Sequence, residues 1–243
     1  MLQKLIELRH KKTDDTVHIL DIGCSYGINA ALLKHDLSIQ DLYNRWAELE
    51  QAGASAKEII EQDADFFARL DQVEDIEVIG LDVAENAVAY GEQAGLLDRG
   101  LAMDLESQPL PQDVWPDLAP VDLVTSIGCV GYVTEKSFEE LLPAVTRGAR
   151  PWFANFVLRM FPFEAIAETL GKAGFVTEKL SQRLFVQRNF ASKDEQDKVL
   201  EQLPERGIDP SGKETEGYLL AELYVTRPRD EAVEVPIERL LTA

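Results

Sequence analysis

Short apolar runs that end in a turn and hand over to a longer helical pattern recur along most of this chain. That alternation narrows the available folds more than any other feature. The first run, Val17 to Asp21, meets the turn Gly23-Cys-Ser-Tyr-Gly27 and then a helix-like segment from Ile28 to Lys34. The second, Glu77 to Asp82, precedes an Ala- and Glu-rich helix over Glu85 to Ala94, and a short third, Gly100 to Met103, stops at Asp104. The fourth, Val121 to Ser126, passes through Ile127-Gly-Cys-Val-Gly-Tyr132 into a helix over Glu135 to Arg147. The fifth, Pro151 to Val157, precedes a helix over Phe163 to Ala173. Such a pattern predicts an α/β fold: a mostly parallel sheet with helices on both faces.

Two stretches depart from it. Leu37 to Asp75 is too long for an ordinary connection and carries two helical patterns, Ile39 to Gln51 and Ser55 to Leu70, so it reads as an inserted helical pair. Phe175 to Phe190 and Tyr218 to Arg227 are β runs without a crossover helix packed between them, which predicts an antiparallel hairpin. Its loop insertion, 191–217, holds one charged helix over Lys193 to Leu203. With 243 residues and 45% hydrophobic content the chain can bury one substantial core, so residues 1–228 are expected to form a single domain. The acidic stretch 229–243 reads as a mobile tail.

Composition excludes several function classes. With 24 basic and 44 acidic residues the net charge is −20, and such a surface repels phosphate backbones and anionic lipid heads. Neither nucleic acid nor membrane is an expected partner. No apolar run approaches the roughly 20 residues of a membrane span, and the charged stretch Met1 to Lys12 does not read as a signal peptide. Cys24 and Cys129 fit free thiols in a reducing cytoplasm, and the scattered His10, His18 and His35 predict no metal site.

The chemistry lies at the strand ends. A strand that closes in a glycine turn and opens a helix presents backbone N–H groups, and glycine admits a ligand close to the backbone. Here the turn reads Asp21-x-Gly23-x-Ser25-x-Gly27, which is not the Gly-x-Gly-x-x-Gly of dinucleotide sites. Asp21 repels phosphates and instead suits a positively charged group such as an amino-acid ammonium. Asp82 ends the second strand, where a carboxylate accepts from both hydroxyls of a ribose. Asp104 ends the third, where it can accept from an exocyclic amine.

On Leu20-Asp-Ile-Gly-Cys-Ser-Tyr-Gly27, Gly80-Leu-Asp82, Ala102-Met-Asp-Leu105 and Asp122-Leu-Val-Thr-Ser-Ile-Gly128, the chain resembles the class I S-adenosylmethionine-dependent methyltransferases. The resemblance covers Val17 to Arg227 apart from the insertion. It implies a Rossmann-like, seven-stranded sheet with an antiparallel last strand, S-adenosyl-L-methionine as cofactor, and transfer of its methyl group to a small-molecule acceptor. Asp21, Gly23, Ser25 and Gly27 would lie by the methionine part, Asp82 and Val83 by the ribose, and Asp104 with Leu105 by the adenine. Ser126 and Ile127 would flank the cofactor near the reacting methyl. Ser25 departs from the family's glycine at that position.

The loop after the fourth strand, Gly128-Cys-Val-Gly-Tyr132, lacks the Asn/Asp-Pro-Pro-Tyr/Phe pattern associated with amide, amine and nucleobase N-methylation. Tyr132 is the candidate for orienting the acceptor or taking its proton. Asn155, Arg159, Tyr43 and Trp46 are the other candidate acceptor contacts, the last two as part of a lid formed by the insertion. A noncatalytic cofactor-binding or partner-binding relative of the same fold is the alternative. The chain is expected to be a monomer or a homodimer.

Overall fold

The computed structural model describes residues 1–13, 15–72, 75–148 and 150–242. Its sheet has seven strands in the order β3-β2-β1-β4-β5-β7-β6. These are β1 (Val17–Ile22), β2 (Ile76–Asp82), β3 (Arg99–Ala102), β4 (Leu123–Ile127), β5 (Trp152–Leu158), β6 (Phe175–Asn189) and β7 (Tyr218–Pro228). Strands β1 to β5 pair in parallel, and β7 runs antiparallel to both β5 and β6. The α/β class, the seven strands and the antiparallel last strand are therefore as expected. The strand order reverses between β1 and β4, which opens a crevice beyond their C-terminal ends.

The central strands are mostly apolar because helices cover both faces. One face packs Ile19, Leu123, Ala154 and Val225 under α1 (Leu2–Thr13), α2 (Ile28–Lys34) and α5 (Glu85–Gln93). The other packs Leu20, Val124, Phe153 and Val157 under α6 (Trp115–Leu118), α7 (Glu135–Val145) and α8 (Glu164–Lys172).

The inserted pair is α3 (Ile39–Gln51) and α4 (Ala56–Phe67); residues 73 and 74 of the expected insertion lie outside the described residues. Each helix starts in a capping box, Ser38 with Asp41 and Ser55 with Glu58, which satisfies otherwise unpaired N–H groups at each start. Leu42 and Phe67 pack on Ala31, Ala94 and Leu96, so the pair has its own small core behind α2 and α5. Its anchor is polar. The fully buried Asp63 carboxylate accepts from Arg45 Nε at 2.6 Å, Trp46 Nε1 at 3.1 Å and the Tyr90 hydroxyl at 2.6 Å, tying α3, α4 and α5 together.

The connection from β6 to β7 holds α9 (Lys193–Glu205), as expected, with Val199 and Leu203 buried. The end of the chain is a correction. The stretch expected to be a mobile tail forms α10 (Arg229–Glu234) and α11 (Ile237–Thr242), with residue 243 outside the described residues. Buried Ala232 and Ile237 hold them down, and Glu178 accepts from the Ile237 N–H while Arg227 donates to the Val235 carbonyl. The acidic composition masked those two apolar anchors. Among the described residues no helix is long and apolar enough to cross a membrane, and no group of His, Cys, Asp and Glu is placed to hold a metal ion.

Candidate functional site

The turn after β1 builds the centre of the site. Gly23, Ser25 and Gly27 all adopt left-handed φ, at 72°, 48° and 78°. A side chain at Gly23 would put its Cβ 2.6 Å from that of Cys129, so only glycine fits between β1 and the loop after β4. Ser25 is the one non-glycine with positive φ among the described residues, a conformation costing about 1–2 kcal/mol. Its N–H donates to Asp82 Oδ2 at 2.9 Å, which ties the β1 turn to the end of β2.

Asp82 accepts a second bond at Oδ1 from the Ala84 N–H, also at 2.9 Å. A carboxylate offers about four acceptor positions, so two remain for a ligand diol. Asp104 folds its own loop, accepting from the Glu106 N–H at 3.1 Å and the Ser107 hydroxyl at 2.7 Å. Glu106 then spans to the loop after β4, taking the Thr134 N–H and hydroxyl and the Ser137 hydroxyl at 2.6–2.8 Å. Against the upward push of burial, these donors hold its carboxyl below the usual range.

Asp21 is 1% exposed, inside the sheet and two residues before Gly23. Thr125 on β4 donates to its Oδ1 at 2.6 Å and Asn29 on α2 to its Oδ2 at 3.3 Å. Burial outweighs both bonds, and with Asp82 nearby raises its pKa to about 6. Burial likewise pushes the Cys129 thiol up to about 12, with the Asp21 charge adding to it, so the thiol stays protonated and is a poor nucleophile. Cys24 is raised for the same reasons, and both cysteines are free thiols.

Asp82, Asp104, Glu106 and Cys129 line a cavity of about 620 Å³, a size typical of cofactor pockets. Of the residues expected at a cofactor, Gly23, Asp82, Val83, Asp104, Leu105 and Ile127 line it. Met103, Glu106, Cys129 and Val133 complete much of the wall, and sequence reasoning passed over them. Each lies within two residues of a flagged position, so proximity in sequence was the available signal. Asn29 was also missed; it is the second residue of α2, two positions beyond Gly27, the last residue of the turn motif.

Of the expected cofactor residues Asp21, Ser25, Gly27 and Ser126, and of the expected acceptor contacts Asn155, Arg159, Trp46 and Tyr43, are not among the cavity walls. Ser126 is fully buried and donates to Asn155 Oδ1 at 2.7 Å, and neither side chain is among the cavity walls. Both point into the face of the sheet that carries Val124 and Phe153. Arg159 is also buried, with its guanidinium on Glu214 at 2.6 Å and on the Asp209 carbonyl at 3.2 Å, so it pins the β6–β7 connection instead of meeting an acceptor. Trp46 spends its N–H on Asp63 and faces a separate apolar hollow. Tyr132, by contrast, lines the cavity and is 83% exposed at its mouth, and Tyr43 is 56% exposed on α3.

The walls carry three carboxylates, Asp82, Asp104 and Glu106, and no lysine or arginine. Such a site favours a neutral or cationic ligand with several hydrogen-bond donors.

No protein-family model matches the chain, and no curated protein matches it in sequence. Solved structures do match in shape. One is a TehB-like SAM-dependent methyltransferase from Corynebacterium glutamicum, at 16% identity over 91% of this chain and 86% of that one, with a TM-score of 0.43. Another is the magnesium protoporphyrin IX methyltransferase ChlM of Synechocystis with bound SAM, at 16% identity, 93% and 79% coverage and a TM-score of 0.40. A third is the cyclase SpnF, at 14% identity, 93% and 81% coverage and a TM-score of 0.43.

Proposed function

We propose that this chain is an S-adenosylmethionine-dependent methyltransferase of the class I fold, acting on a small molecule in the cytoplasm. One observation carries the reading. Asp82 and Asp104 line a cation-free cavity at the ends of β2 and β3, and Asp21 is buried at the end of β1 beside the glycine turn. The residues fit such a ligand on their own terms. Asp82 retains two acceptor positions for a ribose, Asp104 lies by the Leu105 backbone for an adenine edge, and Gly23 leaves the backbone bare.

When bound, the donor supplies an electrophilic methyl group on a sulfonium. The acceptor would take up that methyl group, and the donor would leave as its neutral thioether. A proton carried by the acceptor atom passes to water or to a base. The protein's part is alignment and exclusion of water. Asp21, buried within the sheet, favours the ammonium end through its charge, Asp82 and Asp104 hold the nucleoside, and Ile127, Cys129 and Val133 keep the wall dry. Tyr132 at the mouth orients the acceptor.

The acidic surface supports a small-molecule acceptor over a nucleic acid, and the free thiols support a reducing compartment. A second reading, cofactor binding without transfer, is favoured by the protonated Cys129 and by the ties that already occupy Glu106. Incubation with radiolabelled donor and a metabolite extract separates the two: label in an extract molecule supports transfer, and bound donor with no labelled product supports the second reading.

A further inference from the structure

A second hollow, of about 250 Å³, shares no wall residue with the cofactor cavity. Its walls are Tyr26 from the turn after β1, Ile28 from α2, Trp46 from α3, Ile59 from α4 and Tyr90 from α5. Two of them come from the inserted helices, so the insertion makes a site that the sheet and its ordinary helices would lack. The volume falls below the roughly 300 Å³ at which pockets for drug-sized ligands begin, which limits an occupant to a small molecule.

Three of the five walls are aromatic, and the rings of Tyr26 and Tyr90 meet edge-on with centroids 5.5 Å apart. The polar atoms of the other two walls in this set are committed elsewhere. The Tyr90 hydroxyl donates to Asp63 Oδ2 at 2.6 Å and Trp46 Nε1 donates to the same oxygen at 3.1 Å, while Asp63 itself is not a wall. Burial, with the Asp63 carboxylate, raises the Tyr90 phenol, so it stays a donor across the physiological range. Donation to a carboxylate shifts electron density from the O–H and N–H into the rings and deepens their negative faces. Both rings thereby bind a cation better than a solvated tyrosine or tryptophan does.

No wall residue carries a charge. The guanidinium of Arg45 is held by Asp63 at 2.6 Å and lies 4.0 Å over the ring of Phe66, which is not a wall. An anion would meet electron-rich rings and no cationic wall. A cation meets the rings, and the chain's net charge of −20 attracts it.

We infer that this hollow binds a small methylated ammonium ion of the trimethylammonium class, by cation–π contact with Tyr26, Trp46 and Tyr90, with Ile28 and Ile59 covering its methyl groups. The site is independent of the methyl-transfer reading.

The test titrates the whole chain by calorimetry with choline and with its uncharged tert-butyl analogue, in which carbon replaces the nitrogen. The cage predicts one saturable choline site, with the analogue bound at least about tenfold more weakly. Tyr26→Leu, at an exposed position, keeps apolar bulk and removes one ring. It should weaken choline at least about fivefold and leave the analogue within about twofold, while Tyr26→Phe binds choline like wild type. Ile59→Lys tests the same wall independently, because its tethered ammonium competes for the rings and should abolish choline binding. Asp104→Ala, which strips a carboxylate from the other cavity, should leave choline binding unchanged. The inference is overturned if choline does not saturate, if the analogue binds as tightly, or if either Tyr26→Leu or Ile59→Lys binds choline like wild type. It is equally overturned if Asp104→Ala weakens choline as much as Tyr26→Leu does, since choline would then sit in the acidic cavity.

Discussion

The Thr125 hydroxyl donates to Asp21 Oδ1 at 2.6 Å across the β1–β4 pair, inside the sheet. This bond favours the ionised carboxylate, while burial favours the neutral acid and wins, leaving a pKa of about 6. If Asp21 holds the ligand's ammonium, cofactor affinity should fall by about tenfold between pH 7 and pH 5. Thr125→Val removes a donor to a charged group, so the midpoint should rise by about one to two pH units. Thr125→Ser should restore it. Calorimetric titrations across pH read the three midpoints, and a Val variant with an unshifted midpoint would break the link. Asp82 is the other charged group acting on Asp21, with the Cys24 and Cys129 thiols also within its field, so the two cysteines should be left unmodified in these titrations.

The same carboxylate has a stability cost. A folded pKa of about 6 lies above the unfolded value of 3.8, so the contribution of the neutral acid is fully present below pH 3.8 and is lost as pH rises through 6. Asp21→Asn should therefore stabilise the ligand-free protein at pH 8, by about 1–3 kcal/mol, while abolishing cofactor binding. Thermal melts at pH 8 should show an increase of a few degrees; a lower melting temperature would contradict the assignment.

Asp63 holds the insertion by three donors from α3 and α5. Asp63→Ala strands the Arg45 charge and the Trp46 and Tyr90 donors, at a cost of about 3–5 kcal/mol. The loss should centre on α3 and α4, so limited proteolysis should cut within residues 38–71 of the variant and spare the wild type. Cutting spread evenly along the chain would refute a local anchor.

Much of the fold was legible because strand ends and helix starts are local chemistry. The run Val17 to Asp21 and its glycine turn announce β1 and α2, and the helical patterns Ile39 to Gln51 and Ser55 to Leu70 place the starts of both inserted helices within one residue. What was not legible depended on partners distant in sequence. Arg159 reads as a free cation until Glu214 arrives 55 positions later, and Ser126 reads as a cavity residue until Asn155 turns it into the sheet. The final helices were hidden because Ala232 and Ile237 are sparse apolar anchors in an acidic stretch, and the seat of Ile237 forms only when β6 and β7 pair.

Ser25 sits at φ 48° where glycine would be unstrained. Ser25→Gly should keep the N–H bond to Asp82 and raise stability by up to about 1 kcal/mol, or about 2–4 °C in Tm for a chain of this size. Gly23→Ala should do the reverse and also weaken cofactor binding, because its Cβ meets Cys129. A Gly23→Ala protein that melts and binds like wild type would show that the turn is looser than its geometry.

The central claim is that Asp82 and Asp104 line, and Asp21 charges, a site for S-adenosylmethionine. Isothermal titration of the purified chain with that cofactor, beside Asp82→Ala and Asp104→Ala, tests it most directly. The account predicts one site per chain, with affinity reduced by about tenfold or more in each variant, or at least about 1.4 kcal/mol. Absence of binding by the wild-type chain, or equal binding by all three proteins, would contradict it.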